Sequence, residues 1–229
     1  MLQGGFMKRK ILFALSSVLI LLSFYMVLVY VPTEKNMGIV QRIFYYHVPL
    51  AWVAFLAFFV VFICSIMYLV KRNQKWDYIA HASAEIGLVF ISLMLVTGSI
   101  WAKPAWGVWW IWEPRLTTSL ILWFIYVAYF IVRGYISGEE RKARFGAVVG
   151  IIGFLNVPLV FLSVTLWRTQ HPPLTIFSGG LEPSMLLTLL VCLFAFNFLY
   201  FYLLAEGAMM KEDEYNINLL KDKFARRNN

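Results

Sequence analysis

Six long apolar runs dominate this chain and restrict it to a membrane fold. They cover Ile11–Val31, Leu50–Val70, Ile86–Trp101, Leu116–Val132, Ala147–Leu166 and Met185–Leu204. A bilayer core requires about 20 apolar residues per helical span, and within it a helix satisfies its own backbone polar groups. With 61% hydrophobic and 14% charged residues, the sequence predicts an all-α integral membrane protein of six transmembrane helices, arranged as one domain over residues 1–229.

Residues within and beside some of these runs predict where helices begin, how closely they pack and where one is kinked. We expect the short third helix to begin within Ala80–Glu85, and the fourth to begin at Pro114, because proline suits the first helical turn. In the fifth run, the glycines at 146, 150 and 153 allow close helix packing. Asn156 and Pro158 predict a polar kink in the same helix. The first run is too long for a signal peptide, so we expect it to remain as an anchor.

The basic residues predict an orientation. Fifteen of the 20 lysines and arginines fall on the side of the two termini, and basic residues concentrate on the cytoplasmic side of membrane proteins. We therefore expect both termini in the cytoplasm, a solvated cytoplasmic tail over 206–229, and three outward loops, at Pro32–Pro49, Ala102–Glu113 and Trp167–Pro183. Orientation also accounts for the net charge of +8, so no nucleic-acid partner is predicted and the lipid bilayer is the expected environment.

Tryptophan is concentrated in one predicted outward loop, 101–115. Five of the nine tryptophans lie there, at positions 101, 106, 109, 110 and 112. One or two would indicate an interfacial belt, but five in so short a segment favour an apolar platform that stacks on a planar aromatic ligand. The candidate ligand-binding residues in this loop are Trp106, Trp109, Trp110 and Trp112.

Two of the three histidines lie in predicted outward loops, on either side of the platform. Val40, Ile43, Phe44 and His47 have the spacing of a short amphipathic helix on the membrane surface, which would turn His47 toward the platform. His171 precedes two prolines that stiffen its turn. Each alone is most simply an interfacial histidine, but the pair suggests two axial ligands of a flat metal macrocycle. His81 lies on the inner side, four residues before Glu85. We interpret the two side chains as a local i, i+4 pair on one helix, without a ligand role for His81.

Four of the five outward basic residues could bind the carboxylates of such a ligand or lipid headgroups. They are Arg42, Lys103, Arg115 and Arg168. No nucleophile–base set, carboxylate dyad or glycine-rich phosphate loop occurs, so we expect no enzymatic activity. The two cysteines, Cys64 and Cys192, lie inside apolar runs and form no C-x-x-C motif, which argues against disulfide exchange and covalent haem attachment to this chain.

Several segments resemble the cytochrome c maturation protein C (CcmC) family. They are Arg42-Ile-Phe-Tyr-Tyr-His-Val-Pro-Leu-Ala-Trp52, Ala82-Ser-Ala-Glu-Ile-Gly87, Val96-Thr-Gly-Ser99, Trp106-Gly-Val-Trp-Trp-Ile-Trp112 and Arg115-Leu-Thr117. The resemblance covers about Arg42 to His171. The chain departs from the family at Glu113, where aspartate is usual.

The resemblance implies a haem-handling protein of c-type cytochrome biogenesis in the bacterial inner membrane. His47 and His171 would be the axial ligands of haem b, and the tryptophan domain with Glu113, Arg42 and Arg115 would engage haem. It also implies partners: a periplasmic haem chaperone of CcmE type that receives the haem, ABC transporter subunits of CcmA and CcmB type, and a small membrane subunit of CcmD type.

Two other functions remain open on the sequence. A related cytochrome c synthase would be larger, with extra spans and usually two more histidines. A membrane subunit of an ABC-type exporter would need a cytoplasmic coupling helix, which the sequence pattern does not identify. A purely structural membrane scaffold is the simplest remaining alternative.

Overall fold

The computed structural model describes residues 2–167, 170–171 and 180–227, and these residues are almost entirely helical. Seven α-helices follow one another: α1 Leu2–Tyr25, α2 Phe44–Lys71, α3 Gln74–Trp106, α4 Pro114–Tyr135, α5 Glu139–Phe154, α6 Asn156–Leu166 and α7 Pro183–Arg227. A π-helical turn, Met26–Tyr30, extends α1, and a 3-10 turn, Ile39–Ile43, leads into α2.

Within the described ranges, six helical segments are long and apolar enough to cross a membrane. They are Arg9–Tyr30, Ile39–Lys71, Gln74–Trp106, Pro114–Tyr135, Glu139–Leu166 and Pro183–Lys221, where the fifth combines α5 and α6. The predicted fold class, all-helical with six transmembrane helices, is therefore confirmed.

The start of α3 differs from the prediction. The helix begins at Gln74, before the predicted Ala80–Glu85 segment, because the Asn73 side chain accepts a hydrogen bond from the Lys75 backbone N–H at 3.0 Å and caps the helix. Asp77 in the first turn also favours the helix N-terminus. The α4 start at Pro114 is as predicted.

The fifth span is broken as predicted. Helix α5 ends at Phe154 and α6 begins at Asn156, whose side-chain amide donates to the Thr118 carbonyl at 2.7 Å. This hydrogen bond connects the helix break between α5 and α6 to helix α4. The predicted close packing of α5 is also present, because a Cβ at Gly150 would lie 2.7 Å from Ser65 Oγ on α2.

Helix α2 is at the centre of the bundle. It packs most extensively against α3, and also contacts α5 and α7. Its inner face forms the main apolar core together with residues of α3 and α4, and the Phe58 ring of α2 stacks on Tyr126 of α4 with centroids 3.9 Å apart. Since α2 and α3 are joined by a short turn, they run antiparallel. The start of α2 therefore lies beside the end of α3.

The predicted solvated tail after residue 206 continues α7 without a break to Arg227, and most of its described residues beyond 208 are exposed. Its first turns, however, are bound to the bundle. Glu206 accepts a hydrogen bond from Arg9 at 3.1 Å, and Lys211 donates to Glu85 at 2.6 Å. Glu85 also lies 3.5 Å from His81, the local helix pair that the sequence predicted.

A buried ion pair joins three helices at the end of the bundle where α3 and α5 begin. The Arg133 guanidinium of α4 donates to both Asp77 carboxylate oxygens of α3, at 2.9 and 2.5 Å, and to the Lys142 carbonyl of α5 at 3.0 Å. Both side chains are less than a tenth exposed. Removal of one partner leaves an uncompensated buried charge, which costs about 3–5 kcal/mol.

We therefore expect Asp77→Ala to lower the thermal unfolding midpoint of the purified protein in detergent clearly. Glu140→Ala is the matched control, because its pair with Arg144 lies on the exposed surface of α5 and exposed pairs contribute about 0–1 kcal/mol. Equal midpoints for the two variants would contradict this account of the buried pair.

Candidate functional site

A cavity of about 140 Å³ opens at the other end of the bundle, which we call the tryptophan end. It lies between the start of α2, the last turns of α3, the first turns of α4 and the middle of α6. Most of its lining is apolar, including Ala51 and Phe55 of α2, Met94 and Leu95 of α3 and Val160 of α6. Both candidate histidines, His47 and His171, line the same cavity.

His47 lies in the first turn of α2 and is only 7% exposed. The predicted separate surface helix is wrong, because the segment before His47 is a 3-10 turn that runs directly into the transmembrane helix. The histidine is therefore held by the bundle. Its Nδ1 lies 3.1 Å from the Thr97 hydroxyl of α3, and a Cβ at Gly98 would come within 3.0 Å of its Cε1.

His171 is attached to the start of α4 through Glu113. The His171 Nδ1 lies 3.3 Å from Glu113 Oε1, and the Gln170 backbone N–H donates to Glu113 Oε2 at 2.9 Å. Glu113 directly precedes α4 and is 7% exposed. One carboxylate thus contacts two neighbouring residues of the His171 segment. This gives Glu113 a positioning contact with the His171 segment rather than a place in the cavity lining.

The structure divides the tryptophans into two groups. Trp101, Trp106 and Trp110 line the cavity, whereas Trp109 and Trp112 are 58% and 76% exposed. The Trp101 ring lies 6.0 Å from His47, and the Trp106 ring lies 6.0 Å from His171. Each histidine therefore has its own indole neighbour in the cavity wall.

The prediction of a loop over 101–115 is only partly right. Helix α3 continues to Trp106 and ends where Gly107 adopts a left-handed conformation with φ of 79°. The connection to α4 is 107–113, so Trp101 and Trp106 have the rigidity of a helix. Among the tryptophans of this segment, only those at 109, 110 and 112 lie in the connection.

Of the four predicted basic residues, the structure brings Arg115 into the cavity wall. Arg42 instead donates to the Leu28 carbonyl at 3.0 Å, and Lys103 donates to the Gly107 carbonyl at 2.8 Å. Arg168 lies outside the described residues, as do the two prolines after His171.

The donor groups restrict what this cavity can bind. Among the described residues, no group of three or more His, Cys, Asp or Glu side chains could hold a metal ion. Two imidazoles are too few for a bare ion, but they suit a metal whose in-plane ligands come from a macrocycle. The indole walls can stack on that plane. Within the described part of the chain, the buried Trp101 and Trp110 Nε1 groups have no hydrogen-bond partner, which leaves two donors for a polar edge of the ligand.

Comparison with known proteins identifies the family of this chain. A family profile, CcmC or heme exporter protein C, matches residues 6–217. The chain belongs to the heme exporter protein C family.

Three relatives named heme exporter protein C illustrate the range of sequence identity and coverage. The protein of Bradyrhizobium diazoefficiens is 37% identical over 74% of this chain and 65% of its own length. The Escherichia coli K12 protein is 33% identical over 68% of this chain and 64% of its own. The Haemophilus influenzae protein is 32% identical over 87% of this chain and 79% of its own. The matched part thus spans about two thirds of the first two relatives.

Three residues that line the cavity or contact its histidine were not predicted as part of the site: Thr97, Gly98 and Trp101. A signal for two of them was present. Met94, Gly98, Trp101 and Ala105 follow the i, i+4, i+7 and i+11 spacing of one helix face, and all four line the cavity. The pattern was hidden because the tryptophan segment was interpreted as a loop, so its helical periodicity was not continued beyond Trp101.

Proposed function

We propose that this protein handles haem in c-type cytochrome biogenesis. It binds haem b at the outer face of the membrane with His47 and His171 as axial ligands, and presents it to a periplasmic haem chaperone for covalent loading. In this role haem is cargo, and the protein is a loading platform rather than an enzyme. The observation that carries the proposal is that two histidines far apart in the sequence line one apolar cavity with tryptophans in its wall.

The remaining cavity residues fit the same ligand. A porphyrin has two flat apolar faces, which suit the indoles of Trp106 and Trp110. It also carries carboxylates, which suit the guanidinium of Arg115 at the cavity wall. Arg42 is held by the Leu28 carbonyl, so any contact with haem would require that bond to be exchanged.

The size of the cavity supports delivery rather than storage. At about 140 Å³, it is smaller than pockets that enclose a whole ligand, which are about 300–1,000 Å³. A porphyrin would therefore extend beyond the cavity. Trp109 and Trp112, which are exposed at the tryptophan end, would form part of the surface that meets the chaperone.

The family suggests the wider assembly. We propose ABC transporter subunits of CcmA and CcmB type and a small CcmD-type subunit as further partners in the bacterial inner membrane. The alternatives of an ABC exporter subunit and a cytochrome c synthase are less well supported, because neither accounts as directly for one histidine pair lining one cavity.

Ligation by the pair predicts the behaviour of single histidine variants. We expect His47→Ala and His171→Ala each to retain haem at least about 10-fold less well, since even loss of a partner outside the ligand shell costs about 10–100-fold. His81→Ala should retain haem normally. The measurement is the Soret absorbance per amount of purified folded protein, and equal absorbance in all three variants would exclude the axial pair.

The division of the tryptophans predicts different defects at two adjacent positions. Trp110→Phe should weaken haem retention, because a cavity-wall indole and its N–H are lost. Trp109→Phe should retain haem but yield less chaperone–haem adduct, because its ring is exposed. Haem content and adduct yield should be measured together at matched protein level. Identical profiles for the two variants would contradict a division between binding and docking residues.

The proposed orientation has its own test. Reporter fusions after Asn36 and Gly107 should have periplasmic activity, and fusions after Asn73 and Gly138 should have cytoplasmic activity, as the fifteen-to-five distribution of basic residues requires. A cytoplasmic signal from the Gly107 fusion would put the tryptophan end on the wrong side for a periplasmic chaperone.

A further inference from the structure

One ring nitrogen of His47 has a polar neighbour on another helix. Nδ1 lies 3.1 Å from the Thr97 Oγ1, across the contact between α2 and α3. This distance alone leaves open which atom is the donor, because a neutral imidazole has one nitrogen with a proton and one with a lone pair.

The contacts of Thr97 with its own helix favour one direction. Its hydroxyl lies 2.8 Å from the Leu93 carbonyl and 3.1 Å from the Met94 carbonyl. A hydroxyl has a single proton, and we assign it to the Leu93 carbonyl, which can only accept and is the nearest of the three acceptors. With that assignment the Thr97 oxygen accepts from His47, so the proton of the neutral imidazole lies on Nδ1 and the lone pair lies on Nε2.

Gly98 allows the ring to lie in this position. A Cβ at residue 98 would be 3.0 Å from His47 Cε1, 3.6 Å from Nδ1 and 3.9 Å from Nε2, so the Cε1 corner of the ring lies against a residue that lines the cavity. Thr97 and Gly98 are neighbours on α3. The first accepts from the protonated nitrogen, and the second leaves space for the ring beside the cavity.

We propose that Thr97 is a positioning residue for His47, whose hydroxyl oxygen fixes the tautomer protonated on Nδ1 and leaves the Nε2 lone pair available to the haem iron. The inference rests on the proposed function, because it concerns a ligand of haem. A hydrogen bond from the distal nitrogen of a ligating imidazole orients the ring and raises its basicity. At the other histidine, the carboxylate oxygen Oε1 of Glu113 lies 3.3 Å from Nδ1 of His171.

Removal of the hydroxyl has two measurable consequences. The imidazole can rotate or change tautomer, so haem should dissociate about 10-fold faster, at the lower end of the effect of such outer partners on metal affinity. The imidazole also becomes less basic, which disfavours the ferric state. The midpoint potential of bound haem should therefore rise.

The experiment uses the full chain in detergent, loaded with haem b. Thr97→Val and Thr97→Ala remove the hydroxyl, and Thr97→Ser keeps it. Thr118→Val is the matched control, because the Thr118 hydroxyl also donates to its own helix, at 2.7 Å from the Pro114 carbonyl, but within the described part of the chain the hydrogen bond to His47 belongs to Thr97. The readouts are haem transfer to excess apomyoglobin and the midpoint potential, at matched unfolding midpoint.

We expect faster transfer and a raised potential in Thr97→Val and Thr97→Ala, and wild-type values in Thr97→Ser and Thr118→Val. Wild-type values in Thr97→Val or Thr97→Ala while His47→Ala loses haem would overturn the role of Thr97 alone. A serine variant as defective as the valine variant would also overturn it. Equal haem binding by the wild type and His47→Ala would instead overturn the proposed ligation, and with it this inference.

Discussion

The antiparallel packing of α2 against α3 is the contact on which the candidate site depends. It brings the first turn of α2, with His47, beside the outer part of α3, with Thr97 and Gly98. Small residues make this approach possible, since a side chain at Gly98 would press on the histidine ring. The apolar core that α2 and α3 share with α4 holds the two helices in register. The position of His47 is therefore set by the bundle.

The second half of the site depends on a different type of contact. His171 follows α6, and its segment is joined to α4 through the buried Glu113 carboxylate. A carboxylate at the end of one connection and a backbone N–H in another make a polar link between two otherwise separate segments. In this way one histidine is fixed by helix packing and the other by hydrogen bonding.

Much of the architecture could be predicted from the sequence because a bilayer leaves few alternatives. Six apolar runs gave six spanning helices, and Pro114 and Asn156 marked a helix start and a helix break where the structure has them. The start of α3 could not be predicted from hydropathy, because Gln74–Glu85 is polar and its helix depends on capping by Asn73. The bound start of the tail was missed for a similar reason. It depends on ion pairs such as Lys211 with Glu85, whose residues are far apart in sequence.

The site was predicted in its residue types but not in its arrangement. Topology alone put His47, His171 and the tryptophans at one end of the bundle. The separation of Trp110 in the wall from Trp109 at the surface depends on the end of α3 at Gly107, which sequence periodicity did not give. The contact of Thr97 with His47 is a pairing between two helices. To predict this contact, one must know how α2 and α3 are rotated about their axes relative to each other, and a single sequence does not give that rotation.

The most direct test of this account is pulsed electron paramagnetic resonance of the full chain loaded with ferric haem b and labelled isotopically at histidine nitrogen. The chain has only three histidines, so the assignment of couplings is simple. The account predicts a low-spin iron coupled to two imidazole nitrogens, with both couplings retained in His81→Ala. A high-spin signal, or coupling to one histidine or none, would contradict it.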